Sequence, residues 1–159
     1  MQFTIERETF LKALTGVQGI IEKRHTIPIL ANVLIEADSK NITFTATDLE
    51  VGVKSFYSAN IKKEGRVTIS AKKIFEIIKE LPNKEISFNV KNNFWVEIKC
   101  GKSVFNLVGL SPDEFPKYPE TKDINLNEIN SKIFKEMIDK TIFSVSNDET
   151  KYNLTEIYF

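Results

Sequence analysis

Three stretches of this chain share one pattern, a short alternating strand that passes directly into an amphipathic helix. FTIERETFLKALTGVQGI starts at Phe3, VTISAKKIFEIIKEL at Val67, and INLNEINSKIFKEMIDKTIFSVS at Ile124. In the first, QFTIE alternates with period two. Phe10, Leu11, Leu14, Val17 and Ile21 then recur at helical spacing, so one helix face can bury against a sheet. Gly16 and Gly19 weaken the last turns of that helix. In the second copy Val67 and Ile69 alternate before the stripe Ile74, Phe75, Ile77, Ile78 and Leu81, and Pro82 and Asn83 end it. In the third, Ile124 and Leu126 precede Ile133, Phe134, Met137, Ile138 and Ile142.

The sequence between the helices is mostly β. ANVLIEA, NITFTATDLEVGVKSFYSAN, KEISFNV, NFWVEIKC and SVFNLVGL are alternating or β-branched and aromatic runs, separated by the turn-like DSK, NKE, KNN and CGK. Connections this short suit adjacent antiparallel strands. The chain therefore reads β-α-β-β-β twice, an α+β architecture in which two units join their sheets and pack both helices on one face. SPDEFPKYPETKD, residues 111–123, holds three of the five prolines and reads as a linker. Residues 1–122 are accordingly expected to form one domain. Residues 123–159 are expected to be the incomplete start of a second, cut off on the strand-like LTEIYF.

Composition narrows the function classes. Lys plus Arg and Asp plus Glu both number 22, so the surface as a whole has no excess charge to hold nucleic acid tightly. No run approaches the roughly 20 apolar residues of a membrane span, and MQFTIERETF lacks the pattern of a signal peptide, which sets a cytoplasmic expectation. His25 is the only histidine, and Cys100, the only cysteine, reads as a buried structural thiol. No histidine relay or cysteine metal cluster can be assembled, and no phosphate-cradling glycine loop is present, so no metal or cofactor is expected. The best catalytic pair is Asp48 and Glu50 in TDLE, which could hold a divalent cation as nucleases do; two carboxylates at a strand turn are also common structural features. A third option is a peptide-binding interaction module using a sheet edge or Phe94 and Trp95, one of which should be core and the other partly exposed.

MQFTIERETFLKAL, RHTIPILANVLIEA, FTATDLEVGV, VTISAKKIFEIIKELP, FNLVGLSPDEFPKYPE and FSVSNDETKYNLTEIYF, in this order, resemble the bacterial sliding clamp, the β subunit of DNA polymerase III. The resemblance runs over the whole chain and implies a non-catalytic processivity factor with the sliding-clamp fold. In that family three similar domains per chain, and two chains head to tail, make a ring around duplex DNA, with helices lining the channel and sheets outside. The implied partners are DNA, DNA polymerase III and other polymerases, the clamp loader and a second copy of the protein; no membrane is involved.

The resemblance also assigns residues. DNA contact falls to Arg24, with Lys23 beside it, in the EKRHTIPIL loop, and to Tyr152, Asp148 and Asn153 in SNDETKYN, the last two standing where a neutral amide and a second tyrosine can occur. The subunit interface falls to Lys73, Ile74, Ile77, Phe105 and Leu107, with an apolar core as the commoner alternative for Ile77 and Phe105, and the edge of the partner-peptide pocket to Lys151 and Leu154. Lys72, Lys73 and Lys79, with Lys132, Lys135 and Lys140, would give the channel a mildly positive lining. The same lysines, balanced by Glu76, Glu80, Glu136 and Asp139, read equally as solvated helix faces. Each loop likewise has a plain alternative, solvated surface for the first and a polar turn with a half-buried tyrosine for the second.

Overall fold

The computed structural model describes residues 1–21, 27–118, 128–148 and 150–159. It separates into two compact units, Met1–Pro119 and Glu120–Phe159. In the first, the chain runs β1 (Gln2–Glu6), α1 (Arg7–Ile21), β2 (Asn32–Ala37), β3 (Asn41–Thr47), β4 (Gly52–Ser58), β5 (Asn60–Lys63), β6 (Gly65–Ser70), α2 (Ala71–Glu80), β7 (Glu85–Val90), β8 (Trp95–Cys100) and β9 (Ser103–Leu110). All strand pairs are antiparallel, in the order β4-β3-β2-β6-β9-β8-β7-β1-β5.

That order shows how the two repeats join. Each opening strand pairs with the second strand of the other repeat: β1 with β7, from Gln2↔Asn89 to Glu6↔Glu85, and β6 with β2, from Asn32↔Ser70 to Ala37↔Gly65. The physical reason is the direct strand-to-helix passage. With α1 beginning at Arg7, β1 has no hairpin to its own β2 and takes its partner from the other copy. The chain also crosses between the two halves at equivalent points. β9 pairs with β8 through residues 103–108 and with β6 through Gly109 and Leu110, while β4 pairs with β3 and, one residue on, β5 pairs with β1.

The core fills from both halves. The Phe10 ring on α1 is fully buried, and its centre lies 6.3 Å from Phe3, 6.0 Å from Phe88 and 5.6 Å from Phe44. α2 buries Ile74 and Ile78. At the C-terminal end of α2, where carbonyls lack helical partners, Arg7 Nε donates to the Ile78 carbonyl at 3.1 Å and its Nη2 to that of Lys79. Cys100 is buried, with Sγ 3.7 Å from the Pro82 carbonyl.

Two expectations about this unit need correction. NITFTATDLEVGVKSFYSAN, read as one β run, holds β3 and β4 and ends on the first residue of β5; β3 and β4 part at TDLE, a tight turn in which Asp48 Oδ1 accepts the Glu50 and Val51 amides at 3.1 and 2.7 Å and Leu49 sits at φ 77°. Residues 111–118, read as linker, pack onto the first unit. Phe115 is buried, Arg66 pairs with Asp113 at 2.6 Å, and the Tyr118 hydroxyl donates to the Gly52 carbonyl at 3.4 Å. The Tyr118 ring lies so close that a Cβ on Gly52 would stand 2.8 Å from Cε2, so any side chain there would have to displace the ring. Ser111 Oγ accepts the Asp113 amide at 3.3 Å at the start of a 3₁₀ turn over Pro112–Glu114, and composition alone does not distinguish such a docked turn from a free tether.

The second unit contains α3 (Ser131–Thr141), capped by Asn130 Oδ1, which accepts the amides of Lys132 and Ile133 at 3.0 and 3.3 Å. Short 3₁₀ turns follow at Ile142–Ser144 and Tyr152–Leu154, and the Phe134 and Phe159 rings meet at 5.1 Å. LTEIYF, expected as strand-like, is not a strand; among the described residues no strand of this unit lies beside it to supply a ladder. Ile124 and Leu126 lie outside the described residues.

Gly109 sits where β9 passes from β8 to β6. A Cβ there would lie 2.7 Å from Val67 Cγ2, 2.8 Å from the Phe94 carbonyl oxygen and 2.9 Å from that of Thr68. Two of these are backbone atoms that cannot turn aside. Gly109→Ala should therefore destabilise the first unit by about 1–3 kcal/mol, measured by thermal or urea unfolding; an unchanged midpoint would refute the close packing of this crossing.

Candidate functional site

The most distinctive surface is an open sheet edge. β6 ends at Ser70, where the chain turns into α2, so only Gly109 and Leu110 of β9 have a β6 partner. Residues 103–108 pair with β8 on one side and, among the described residues, with no strand on the other. Free backbone donors and acceptors in such a row are a template for another strand.

Side chains on this edge are unusually apolar. The register sets Phe105 opposite Ile98 and Leu107 opposite Val96; because Ile98 and Val96 are fully buried, Phe105 and Leu107 lie on the core-facing side of the sheet. Leu107 is half-buried against the core, whereas Phe105 remains 38% exposed at the margin. On α2, Lys73 is exposed and Ile77 is half-buried. Ile74, grouped with them by resemblance, is instead fully buried in the core, one helical turn from Ile78 on the same inward stripe. It cannot itself touch a partner. Sequence reasoning missed Val104 and Val108, exposed by 50% and 60% on the opposite face of β9. Their signal was a strand apolar at both parities, SVFNLVGL. Of the aromatic pair, Phe94 packs partly against the core and Trp95 is exposed.

The helix lysines divide into two sets. Among the described residues Lys72, Lys73 and Lys79 of α2, and Lys132 of α3, are exposed and stand in no ion pair, while on α3 Lys140 pairs with Glu136 at 2.6 Å and Lys135 with Asp139. Intrahelical pairs of this kind take much of the positive field away from α3. Lys72 and Lys79 also border a groove of about 850 Å³ between α1 and α2, but Glu76 and Glu80 share it, so it is no anion pocket.

Arg24 and Lys23 lie outside the described residues. The other loop is a compact turn: Ser146 N–H donates to Leu154 O at 2.7 Å, Lys151 N–H to Asp148 O at 3.0 Å, and Leu154 N–H to Lys151 O at 2.8 Å. Asp148 is the organiser of this turn, accepting the Thr150 hydroxyl at 2.6 Å and its amide at 3.1 Å, with Lys151 Nζ at 3.7 Å. Its carboxylate is thus engaged within the loop. Tyr152 is 77% exposed, Asn153 is exposed beside it, and Lys151 and Leu154 are exposed at the same turn. The TDLE carboxylates do not form a cation site either, since Asp48 holds its own turn and no group of three or more His, Cys, Asp or Glu side chains gathers among the described residues. Among those residues no helix is long and apolar enough to cross a membrane.

Residues 1–119 match the family of the DNA polymerase III beta subunit, N-terminal domain. The chain is 36% identical along its whole length to a beta sliding clamp of Halalkalibacterium halodurans, and 36% identical over 99% of its length to one of Caulobacter vibrioides. It spans 44% and 43% of those two relatives. The solved DNA polymerase sliding clamp of Bacillus subtilis superposes with a TM-score of 0.88 at 31% identity, covering 94% of this chain and 42% of that one. Pol III beta of Caulobacter crescentus gives 0.87 at 35% identity, covering 97% and 42%.

The Asp148 turn has a pH signature. Hydrogen bonds from the Thr150 hydroxyl, then from its amide, then from Lys151, hold the carboxyl below the usual aspartate value of 3.8. A depressed folded value means that the turn gains stability above 3.8 and loses it as pH falls through the lower, folded value. The Thr150 amide resonance should therefore titrate with a midpoint below 3.8, and Asp148→Asn should abolish that titration. A midpoint at or above the ordinary value would contradict the assigned hydrogen bonds.

Proposed function

Because this chain belongs to the DNA polymerase III beta subunit family, we propose that it supplies the first domain, and the opening of the second, of a sliding clamp that encircles duplex DNA and tethers the replicative polymerase. The observation that carries this reading is the open β9 edge. A strand with unpaired backbone groups, apolar side chains at its margin and a helix carrying Lys73 and Ile77 suits continuation of the sheet into a second subunit, as closing a ring requires. Phe105, Leu107, Ile77 and Lys73 are the junction residues, with Ile74 behind them supporting the helix from the core.

Enclosure explains the electrostatics. A ring that holds DNA topologically needs only weak, exchangeable phosphate contacts, and strong ones would stop it sliding. An equal number of acidic and basic residues, with Lys72, Lys73 and Lys79 exposed on α2, fits that requirement. Arg24, with Lys23, and the exposed ring of Tyr152 are the assigned DNA contacts, the tyrosine by stacking on a base or sugar. Lys151 and Leu154 border the surface that receives polymerase and clamp-loader peptides. The protein acts without catalysis, in the cytoplasm.

The test is topological. The protein that carries this chain, loaded onto nicked circular DNA, should remain bound through a high-salt wash and be lost once the circle is cut to linear form. Retention that ignores DNA ends, or loss from both forms alike, would defeat the ring reading.

A further inference from the structure

Four strands present one row of side chains away from the core. The register sets Phe56 of β4 opposite Thr43 of β3, Thr43 opposite Glu36 of β2, and Glu36 opposite Arg66 of β6. The alternating residues Ile35, Ile42 and Phe44 are fully buried on the other side of the sheet, where Phe44 meets Phe10 of α1. Thr43 is short and buried, so it forms a floor between two taller walls, Phe56 on one side and Glu36 with Arg66 on the other. The hollow between them has a volume of about 560 Å³. Lys54, two residues before Phe56, stands at one end; Asp38 and Glu64 stand at the other.

Both cations of the hollow are already engaged. Opposite charges facing each other across a sheet attract, and Arg66 faces Glu36. Its Nη2 instead meets Asp113 Oδ1 at 2.6 Å, drawn off by the docked residues that follow β9. Lys54 Nζ lies 5.8 Å from the centre of the Phe56 ring and 5.9 Å from that of Tyr118. Glu36 and Glu64 are left with no ion pair among the described residues. With Asp113 included, Glu36, Asp38, Glu64 and Asp113 stand against Lys54 and Arg66, a formal excess of two negative charges. Beside them the Phe56 ring remains 62% exposed although Lys54 lies over it.

We propose that this hollow receives an arginine side chain from an extended basic segment of a partner protein, its guanidinium stacked on Phe56 and paired with Glu36, with Glu64 adding to the attraction. The chemistry of the walls selects arginine. A guanidinium is planar and stacks on an aromatic face, it is more weakly hydrated than an ammonium, and its fork of donors matches a carboxylate. The sign of the charge turns DNA phosphates away from this face. The site looks away from α1 and does not involve β9, so it stands independently of how the β9 edge is used.

The experiment titrates the whole protein that carries this chain into a fluorescein-labelled peptide of alternating arginine and alanine, read by fluorescence anisotropy at roughly 50 mM salt, where surface charge is weakly screened. Glu36→Gln with Glu64→Gln should raise the dissociation constant by about three- to tenfold. Phe56→Leu keeps the apolar bulk and removes the aromatic face; it should raise the constant about two- to fivefold with the unfolding midpoint unchanged. Glu136→Gln with Asp139→Asn on α3, where both carboxylates already pair with lysines, should change it less than about twofold. Equal weakening by the α3 pair would reduce the effect to net charge, and binding indifferent to Glu36, Glu64 and Phe56 would put the peptide elsewhere; either result overturns the site. If the peptide does not bind, the proposal falls too, and a change in the protein's sedimentation on Glu36→Gln with Glu64→Gln would then make a second copy the occupant of this face.

Discussion

A strand that runs straight into a helix leaves its neighbour in the sheet uncovered. β6 turns into α2 at Ser70 and Ala71, so its ladder to β9 stops after Gly109 and Leu110, and the remainder of β9 is left as an edge. The same passage at Glu6 and Arg7 sends β1 to pair with β7 of the other repeat. Exchange of opening strands and the open edge are thus two results of one local feature. Phe10 fixes the outcome, since its ring meets phenylalanines from both halves and can be buried only when the repeats are joined.

In the proposed reading, cohesion and DNA holding draw on different kinds of residue. The apolar residues of the β9 edge suit attachment to a protein surface, while Lys72, Lys73 and Lys79 are exposed on α2. Nothing in this division calls for a strongly charged chain. In the proposed ring, weak contact with phosphates would give long residence on DNA without a tightly bound position along it.

Many polar residues that invite a chemical reading serve the backbone instead. Asp38 accepts the Lys40 and Asn41 amides, each at 2.8 Å, Asp48 those of Glu50 and Val51, and Asp148 the hydroxyl and amide of Thr150. An aspartate that begins a turn satisfies amides the turn leaves unpaired, and its charge is then partly neutralised in place. Asp48 and Asp148 stood out in the sequence as a metal ligand and a DNA-loop residue, and each acts locally in the fold.

The sequence by itself determined the repeat, the placement of helices α1 and α2 and most strand positions, because periodicity and turn residues are local properties that each segment carries alone; the family came from the resemblance of its motifs in order. It also marked Phe105, Leu107 and Lys73 as junction residues, but through resemblance and with Ile74 among them. Only the tertiary structure separated Ile74 from that group, since burial depends on which face of α2 meets the sheet. The division of residues 41–58 into two strands at TDLE, the docking of Phe115 and Tyr118, and the exposure of Val104, Val108 and Trp95 along one unpaired edge were likewise decided there. Each depends on which strand ends beside which, and that is settled by contacts between residues far apart in the chain.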